Sequence, residues 1–218
     1  MESCKREFIS FLENAGVLKF GDFTAKSGRK IPYFINAGDI KTGEQIARLG
    51  EFYAKVYIDH FGKERRVLFG PSYKGIPIAV SSAVALSKEE IDVPFFFNRK
   101  EAKDHGEGGV LVGYVPKPGE EIVITEDVIT AGTAIRESME ILNGVQGAKV
   151  AACIIMVDRA EKGRGELSAM KEIEEEFGFP IYSVVDVYDI IEYLEEDPAN
   201  AENVERIKNY LKVNGAKR

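Results

Sequence analysis

The sequence predicts an α/β fold with a mainly parallel central sheet flanked by helices. From about residue 66 onwards, short apolar runs alternate with longer stretches whose apolar residues recur at helical spacing. This alternation is typical of a parallel sheet covered on both faces. The first 40 or so residues do not follow it, and they predict a small helix-plus-hairpin cap instead.

Length and composition are those of an ordinary globular chain. The chain has 218 residues, of which 44% are hydrophobic and 30% are charged. It carries 29 Lys and Arg against 36 Asp and Glu, for a formal net charge of −7, which argues against general nucleic-acid binding. The length predicts a single domain over residues 1–218, with about residues 1–40 contributing the cap.

Cysteine content and hydropathy indicate the compartment. Cys4 and Cys153 are too few for a disulfide framework and are interpreted as free thiols of a reducing compartment. The first ten residues lack the apolar core of a secretory signal. No apolar run reaches the roughly 18 residues that a membrane helix needs. We therefore expect a cytoplasmic protein with no membrane partner.

The cap is predicted from two patterns. Residues 3–14 carry apolar side chains at helical spacing, and residues 17–36 alternate like two strands joined by a Ser-Gly turn. A capping-box pattern at residues 42–45 then predicts a helix that runs towards His60.

The rest of the chain alternates between the two kinds of element. Strands are predicted at residues 66–69, 93–97, 121–125, 149–157 and 180–185. Helices are predicted at residues 75–86, 133–142, 166–177 and 189–194. Ligands of parallel sheets bind beyond the carboxyl ends of the strands, so the residues directly after each strand are the functional candidates.

The most specific segment is residues 122–134, with the sequence IVITEDVITAGTA. An apolar strand ends in Glu126 and Asp127, and a loop of small residues leads into a helix. Around Gly132, backbone N–H groups can close on an anion at the helix N-terminus, and Thr130 and Thr133 add hydroxyl donors. The carboxylates can accept hydrogen bonds from a ribose diol. The segment therefore predicts a ribose 5-phosphate site; the alternative is a helix N-terminus with acids that complement its dipole.

This segment resembles the phosphoribosyl-pyrophosphate motif of the type I phosphoribosyltransferases. The resemblance extends over nearly the whole chain to the bacterial-type orotate phosphoribosyltransferases. The matching stretches are VLKFG, FT, KSGRK and PYF within residues 17–34, YKGIP at 73–77 and FNRKEAKDHGEGG at 97–109. There are two departures: Glu126, where many members carry Asp, and Ile35, where relatives often carry a second Phe. Glu still accepts hydroxyls, and Ile still offers an apolar wall.

The resemblance implies the type I phosphoribosyltransferase fold, with the cap, or hood, over the base site and a flexible lid loop. The implied reaction transfers the phosphoribosyl group from phosphoribosyl pyrophosphate to orotate in pyrimidine (UMP) biosynthesis. Mg²⁺ is the implied cofactor, held mainly through substrate oxygens and water without protein ligands. A homodimer that shares the lid loop across subunits is also implied.

The resemblance assigns site residues in three overlapping groups. The catalytic residues implied are Lys103, His105, Lys26 and Asp127. The residues implied to bind phosphoribosyl pyrophosphate are Lys26, Tyr73, Lys74, Arg99, Lys100, Lys103, His105, Glu126, Asp127, Val128, Ile129, Thr130, Ala131, Gly132, Thr133 and Ala134. The residues implied to bind orotate are Lys26, Phe34, Ile35, Thr130 and Arg159.

Several of these assignments have a simpler alternative. The cationic, glycine-rich stretch at residues 99–109 is either a mobile lid or a solvated loop. Residues 70–75 form either a second anion-binding loop or an ordinary turn. Lys26 could be a surface lysine of the hairpin, and Arg159 could form a surface ion pair.

Two rival functions remain open at this point. A purine-base phosphoribosyltransferase would use the same scaffold, although Lys26, Phe34 and Arg159 suit a carboxylated pyrimidine better. A regulator that senses phosphoribosyl pyrophosphate and binds nucleic acid would keep the anion loop but could lose the lid. The presence of Lys103 and His105 disfavours that regulator.

Overall fold

The computed structural model describes residues 1–25, 28–103 and 109–216. The chain begins with helix α1 (Ser3–Asn14), followed by the antiparallel strands β1 (Leu18–Thr24) and β2 (Lys30–Ile35). These two strands form a sheet of their own, separate from the central one. The predicted helix-plus-hairpin cap is therefore present. A 3-10 turn at Ala37–Asp39 leads from it into helix α2 (Gly43–Phe61).

The remaining elements build the central sheet and its helices. In chain order they are β3 (Val67–Gly70), α3 (Gly75–Lys88), β4 (Phe95–Lys103), β5 (Gly109–Gly113), β6 (Glu121–Val128), α4 (Thr133–Asn143), β7 (Lys149–Asp158), α5 (Ala169–Phe177), β8 (Ile181–Asp186), α6 (Val187–Glu195) and α7 (Ala201–Asn214). The six strands lie in the order β5-β4-β3-β6-β7-β8, and every neighbouring pair is parallel except β4 and β5. The predicted mainly parallel sheet is confirmed.

Each face of the sheet has its own apolar core, because successive strand residues point to opposite faces. Leu68 and Val123 pack into the larger core, which also contains side chains of α1, α2, α3 and the hairpin. Phe69 and Ile124 pack into the second core, together with residues of α4 and α5. The cap thus shares a core with one face of the sheet.

The largest departure from the sequence prediction concerns the expected lid. Residues 99–103 extend β4, which pairs with β5 as far as Lys103 opposite Gly109. The apolar run ends at Phe97, so only pairing with a second strand extends β4 beyond it. Residues 104–108 of the expected lid lie outside the described residues. Strand β5 and helix α7 were not predicted.

Among the described residues, no helix is both long enough and apolar enough to cross a membrane. Cys4 and Cys153 are both free thiols.

The predicted capping box of α2 is present and generates a stability prediction. Thr42 Oγ1 accepts the N–H of Gln45 at 3.2 Å, and Gln45 Oε1 accepts the N–H of Thr42 at 3.2 Å. Thr42→Ala should lower the free energy of unfolding by about 1 kcal/mol, because alanine has no oxygen for that N–H group. Denaturant unfolding of both variants tests this. Thr42→Ser keeps the acceptor and should stay within about 0.5 kcal/mol of the parent. An equal loss in both variants would contradict the capping role.

Candidate active site

Two adjacent acids end the inner strand β6. Glu126 and Asp127 are only 7% and 6% exposed. Asp127 Oδ2 lies 2.9 Å from Lys74 Nζ, and its Oδ1 accepts the N–H of Val128 at 2.8 Å. Glu126 Oε1 accepts the N–H of Asp127 at 3.0 Å. Lys74 is thus the cationic partner of the acidic pair, although it lies in a different loop.

Burial disfavours the ionised form of Glu126. Burial, together with the charge of Asp127, raises the pKa of Glu126 to about 8. Glu126 is therefore mainly neutral at neutral pH and can donate a hydrogen bond as well as accept one. Beneath it, the fully buried Tyr53 donates its hydroxyl to the Glu126 carbonyl at 2.6 Å. The pair therefore places less negative charge beside Lys74 than two ionised carboxylates would.

The β6–α4 loop, residues 129–132, borders an open cavity of about 280 Å³. The cavity is lined by Glu126, Val128, Ile129, Thr130, Gly132, Thr133, Ala134, Ile135 and Glu137. Most of the residues predicted from the phosphoribosyl-pyrophosphate motif therefore face one cavity at the N-terminus of α4. Such a helix end presents unpaired N–H groups and favours an anion.

Gly132 is required by its conformation and by its packing. Its φ of +73° lies in the left-handed region, which favours glycine. A Cβ at this position would come within 2.7 Å of Ile173 Cδ1 and 2.8 Å of Arg136 Nη1. The sequence predicted only that backbone N–H groups around Gly132 can close on an anion; the structure adds the contacts with Ile173 and Arg136.

The β3–α3 loop, residues 71–74, is held by a residue of β4. Asn98 is buried, accepts the N–H of Ser72 at 2.9 Å and donates to Ser72 Oγ at 3.1 Å. In the same loop, Tyr73 is exposed, and Lys100 Nζ lies 5.0 Å from the centre of its ring. The loop is thus more than a turn, since it places Tyr73 and Lys74 beside Lys100 of β4 at one edge of the sheet.

The hairpin contributes one exposed aromatic face. Phe34 is 40% exposed, and its ring stacks on Phe23 with centroids 5.4 Å apart. Ile35, in contrast, is buried in the larger core, because neighbouring residues of a strand point to opposite faces. The Ile35 side chain therefore faces the core rather than the exposed side of Phe34, and its part in orotate binding stays a prediction.

Arg159 follows β7 and is buried rather than on the surface. It is 8% exposed, and its Nε and Nη2 donate to Glu161 Oε1 at 2.9 and 2.6 Å. Its guanidinium carbon lies 5.1 Å from the centre of the Tyr33 ring, and Arg29 reaches within 3.7 Å of Glu161. A buried, paired guanidinium beside the hairpin can present a fork to a planar carboxylate.

Four contact residues were missed by the sequence analysis: Tyr53, Asn98, Arg136 and Glu161. Asn98 had a recognisable pattern, since it is a polar residue directly after three phenylalanines of a predicted strand. The other three occupy ordinary helix or loop positions.

The side chains of three predicted residues, Lys26, Lys103 and His105, lie outside the described part of the structure. Lys26 and His105 lie outside the described residues. Lys103 ends β4, but its side chain also lies outside them. Arg99 lies on β4 and is half-buried.

Comparison with known proteins agrees with this arrangement. A family model described as a phosphoribosyl transferase domain matches residues 36–183. The orotate phosphoribosyltransferase of Aliivibrio fischeri is 55% identical over 211 residues, covering 96% of this chain and 97% of that relative. The enzyme of Vibrio cholerae is 53% identical over the same shares.

A solved structure gives the same result. The crystal structure of the Francisella tularensis orotate phosphoribosyltransferase is 38% identical and has a TM-score of 0.83. The match covers 96% of this chain and 100% of the Francisella tularensis chain. The family model begins after the hairpin, whereas the relatives and the solved structure match 96% of this chain. The chain therefore belongs to the orotate phosphoribosyltransferases, within the phosphoribosyl transferase domain family.

Proposed function

We infer that this chain transfers the phosphoribosyl group from phosphoribosyl pyrophosphate to orotate, giving orotidine 5′-phosphate and pyrophosphate in pyrimidine (UMP) biosynthesis. The observation that carries this function is the acidic pair Glu126–Asp127, of which Glu126 lines the cavity at the N-terminus of α4 and Asp127 contacts Lys74. A diol site next to an anion site matches the two ends of a ribose 5-phosphate.

We propose that the β6–α4 loop binds the 5-phosphate and that the acids bind the ribose hydroxyls. Thr130, Ala131 and Thr133 are exposed at the loop, so N–H and hydroxyl donors are accessible there. The largely neutral Glu126 adds little repulsion towards the phosphate and can still bond a hydroxyl. Asp127 would accept from the second hydroxyl.

The pyrophosphate group is proposed to lie between the β3–α3 loop and β4. Lys74, Arg99, Lys100, Lys103 and His105 would compensate its charge as the C1–O bond breaks. Lys74 Nζ, now 2.9 Å from Asp127, can be shared with the phosphate oxygens. The positive charge of Lys74 is thus in place before further negative charge develops on the pyrophosphate leaving group.

The expected Mg²⁺ fits this site as an ion carried by the substrate. In the described part of the chain, no three carboxylate, imidazole or thiol groups converge as a metal cage would require. Bound through pyrophosphate oxygens and water, Mg²⁺ would neutralise charge on the leaving group. Asp127 is the side chain best placed to hold water around it.

Orotate is proposed to lie against the exposed ring of Phe34, with its carboxylate on Arg159 and with Lys26 and Thr130 nearby. The cap formed by residues 1–40 would then cover the base. Orotate enters as an anion at its ring nitrogen, so the reaction needs no dedicated base. As the bond to pyrophosphate breaks, the ribose becomes oxocarbenium-like, and a closed lid would exclude water.

We further propose a homodimer that shares the lid. An apolar groove of about 430 Å³ between α2 and α3 supports this proposal. It includes Ile46, Pro77 and Val84, and Val84 is 54% exposed. Ile46 and Pro77 also border a second groove that reaches Tyr73 and Lys74. Exposed apolar patches of this kind mark interfaces, and this one continues to the active site.

The two free thiols, Cys4 and Cys153, support the proposal of a reducing, cytoplasmic location.

The activity itself is tested by mixing the protein with phosphoribosyl pyrophosphate, Mg²⁺ and one base at a time. Orotate absorbance should fall and pyrophosphate should accumulate, whereas adenine, guanine and hypoxanthine should give no nucleotide. Turnover of a purine in place of orotate would favour the rival transferase. Binding of phosphoribosyl pyrophosphate with no turnover of any base would favour the regulator.

Arg159→Gln tests base recognition. The variant should raise the KM for orotate about tenfold to a hundredfold, because a hydrogen bond to a charged group contributes about 1.5–3 kcal/mol. The KM for phosphoribosyl pyrophosphate should change little. The variant also leaves Glu161 buried without its main partner, so its melting temperature should fall.

The double variant Arg159→Gln/Glu161→Gln separates these two effects. It removes both charges and should recover most of the lost melting temperature, but not the affinity for orotate. If orotate binding recovers together with stability, Arg159 maintains the fold rather than recognising the carboxylate.

Complementation tests the shared lid. Lys103→Ala and Asp127→Ala should each inactivate the homodimer. After subunit exchange, a heterodimer would hold one intact site, so an equal mixture should regain about one quarter of the parent activity. Exchange is verified with differently tagged subunits. Verified exchange with no activity would mean that the lid serves its own subunit.

A further inference from the structure

Arg136 lies in α4, one turn beyond the cavity at the start of that helix. Its side chain is 15% exposed and bridges two elements. Nη1 donates to the carbonyl oxygen of Ala131 at 2.7 Å, while Nε donates to Glu176 Oε2 at 2.8 Å. Nη2 lies 2.7 Å from Glu176 Oε2. One guanidinium thus ties the β6–α4 loop to helix α5.

The contact with Ala131 sets the direction of a peptide unit. In a trans peptide, the C=O of one residue and the N–H of the next point to opposite sides. With the Ala131 oxygen held towards Arg136, the N–H of Gly132 is held in the opposite direction. Gly132 lines the cavity, whereas Arg136 is absent from its lining. Arg136 therefore acts on the cavity through the backbone of the loop.

Helix α5 is the platform on which this contact rests. Ile173 is fully buried, and a Cβ on Gly132 would come within 2.7 Å of it. Glu176 lies three residues further along the helix and fixes the guanidinium. One turn before Glu176, Glu172 accepts the N–H groups of Arg164 and Gly165 at 2.9 and 2.6 Å. The same helix thus secures the β6–α4 loop and the segment that follows Arg159.

We propose that Arg136, fixed by Glu176, is a positioning residue for the 5-phosphate end of the substrate. It holds the Ala131–Gly132 peptide so that the loop is already shaped for a phosphate before binding. This proposal rests on the proposed function, because it assigns the phosphate of phosphoribosyl pyrophosphate to this loop.

The geometry distinguishes this pair from an ordinary surface salt bridge. Exposed ion pairs contribute little, since water screens them and side-chain entropy opposes them. Here the Arg136 side chain is 15% exposed against 42% for Glu176, and its guanidinium satisfies a backbone carbonyl as well as a carboxylate. A lysine has a single ammonium and cannot reproduce the planar fork that reaches both acceptors.

The test compares Arg136→Gln, Arg136→Lys and Glu176→Gln with the parent. Calorimetric titration with ribose 5-phosphate probes the loop, and titration with pyrophosphate probes the Lys74 side of the site. Arg136→Gln should weaken ribose 5-phosphate binding roughly tenfold to a hundredfold. Its KM for phosphoribosyl pyrophosphate should rise by a similar factor, while pyrophosphate binding and the KM for orotate stay near the parent values. Arg136→Lys and Glu176→Gln should show smaller losses.

Arg65→Gln is the matched control. Arg65 pairs with Glu120 at the opposite, amino-terminal edge of the sheet, so this variant removes a more exposed arginine–glutamate ion pair away from the site. Arg65→Gln should leave the affinities for ribose 5-phosphate and pyrophosphate unchanged, and likewise the KM values for phosphoribosyl pyrophosphate and orotate. Melting temperatures of all variants are measured in parallel.

Three results would overturn the assignment. The first is ribose 5-phosphate binding by Arg136→Gln as tight as in the parent. The second is an equal loss of ribose 5-phosphate, pyrophosphate and orotate binding, because that indicates a general loss of structure. A fall in kcat with unchanged KM values would instead make Arg136 a transition-state residue. If the parent protein itself fails to bind ribose 5-phosphate, the proposed function fails together with this assignment.

Discussion

The site depends on one close backbone approach, between the start of α3 and the end of β6. A Cβ on Gly75 would come within 2.7 Å of the Thr125 carbonyl oxygen and 2.6 Å of Pro71 Cδ. Because glycine has no side chain, α3 can lie directly against β6. Lys74 then reaches Asp127, 53 residues away in sequence. That single contact joins the β3–α3 loop to the end of β6, and so brings the two proposed anion-binding loops together.

The pairing of Lys74 with Asp127 also explains how two acids are tolerated beside the proposed phosphate site. Glu126 is buried, and its raised pKa leaves it largely uncharged at neutral pH. Asp127 lies 2.9 Å from the ammonium group of Lys74. The site therefore offers oxygen atoms for hydroxyl groups without presenting two uncompensated negative charges to the substrate.

Each loop of the site is shaped by a polar side chain from another element. Asn98 of β4 holds the β3–α3 loop, and Arg136 of α4 holds the β6–α4 loop against α5. Arg159 is likewise paired with Glu161. Groups that are already oriented reduce the ordering that binding requires, which favours affinity and catalysis. Contacts from neighbouring strands and helices thus fix the conformations of these loops.

The sequence by itself determined the alternation of strands and helices, the cap, the capping box of α2 and the central motif at residues 122–134. These features depend on short-range patterns: apolar periodicity, a local hydrogen-bonding box, and a loop directly after a strand. Lys26, Lys103 and His105 stay predictions from the family resemblance.

Only the tertiary structure decided the extension of β4, the inward direction of Ile35 and the partners of Arg136 and Arg159. Strand pairing with β5 lengthens β4, and packing of the hairpin against the larger core selects which face of β2 is buried. Glu176 lies 40 residues from Arg136 and carries no local pattern that marks it as a partner. Such contacts depend on which distant segments the folded chain brings together, and that information is absent from any short stretch of sequence.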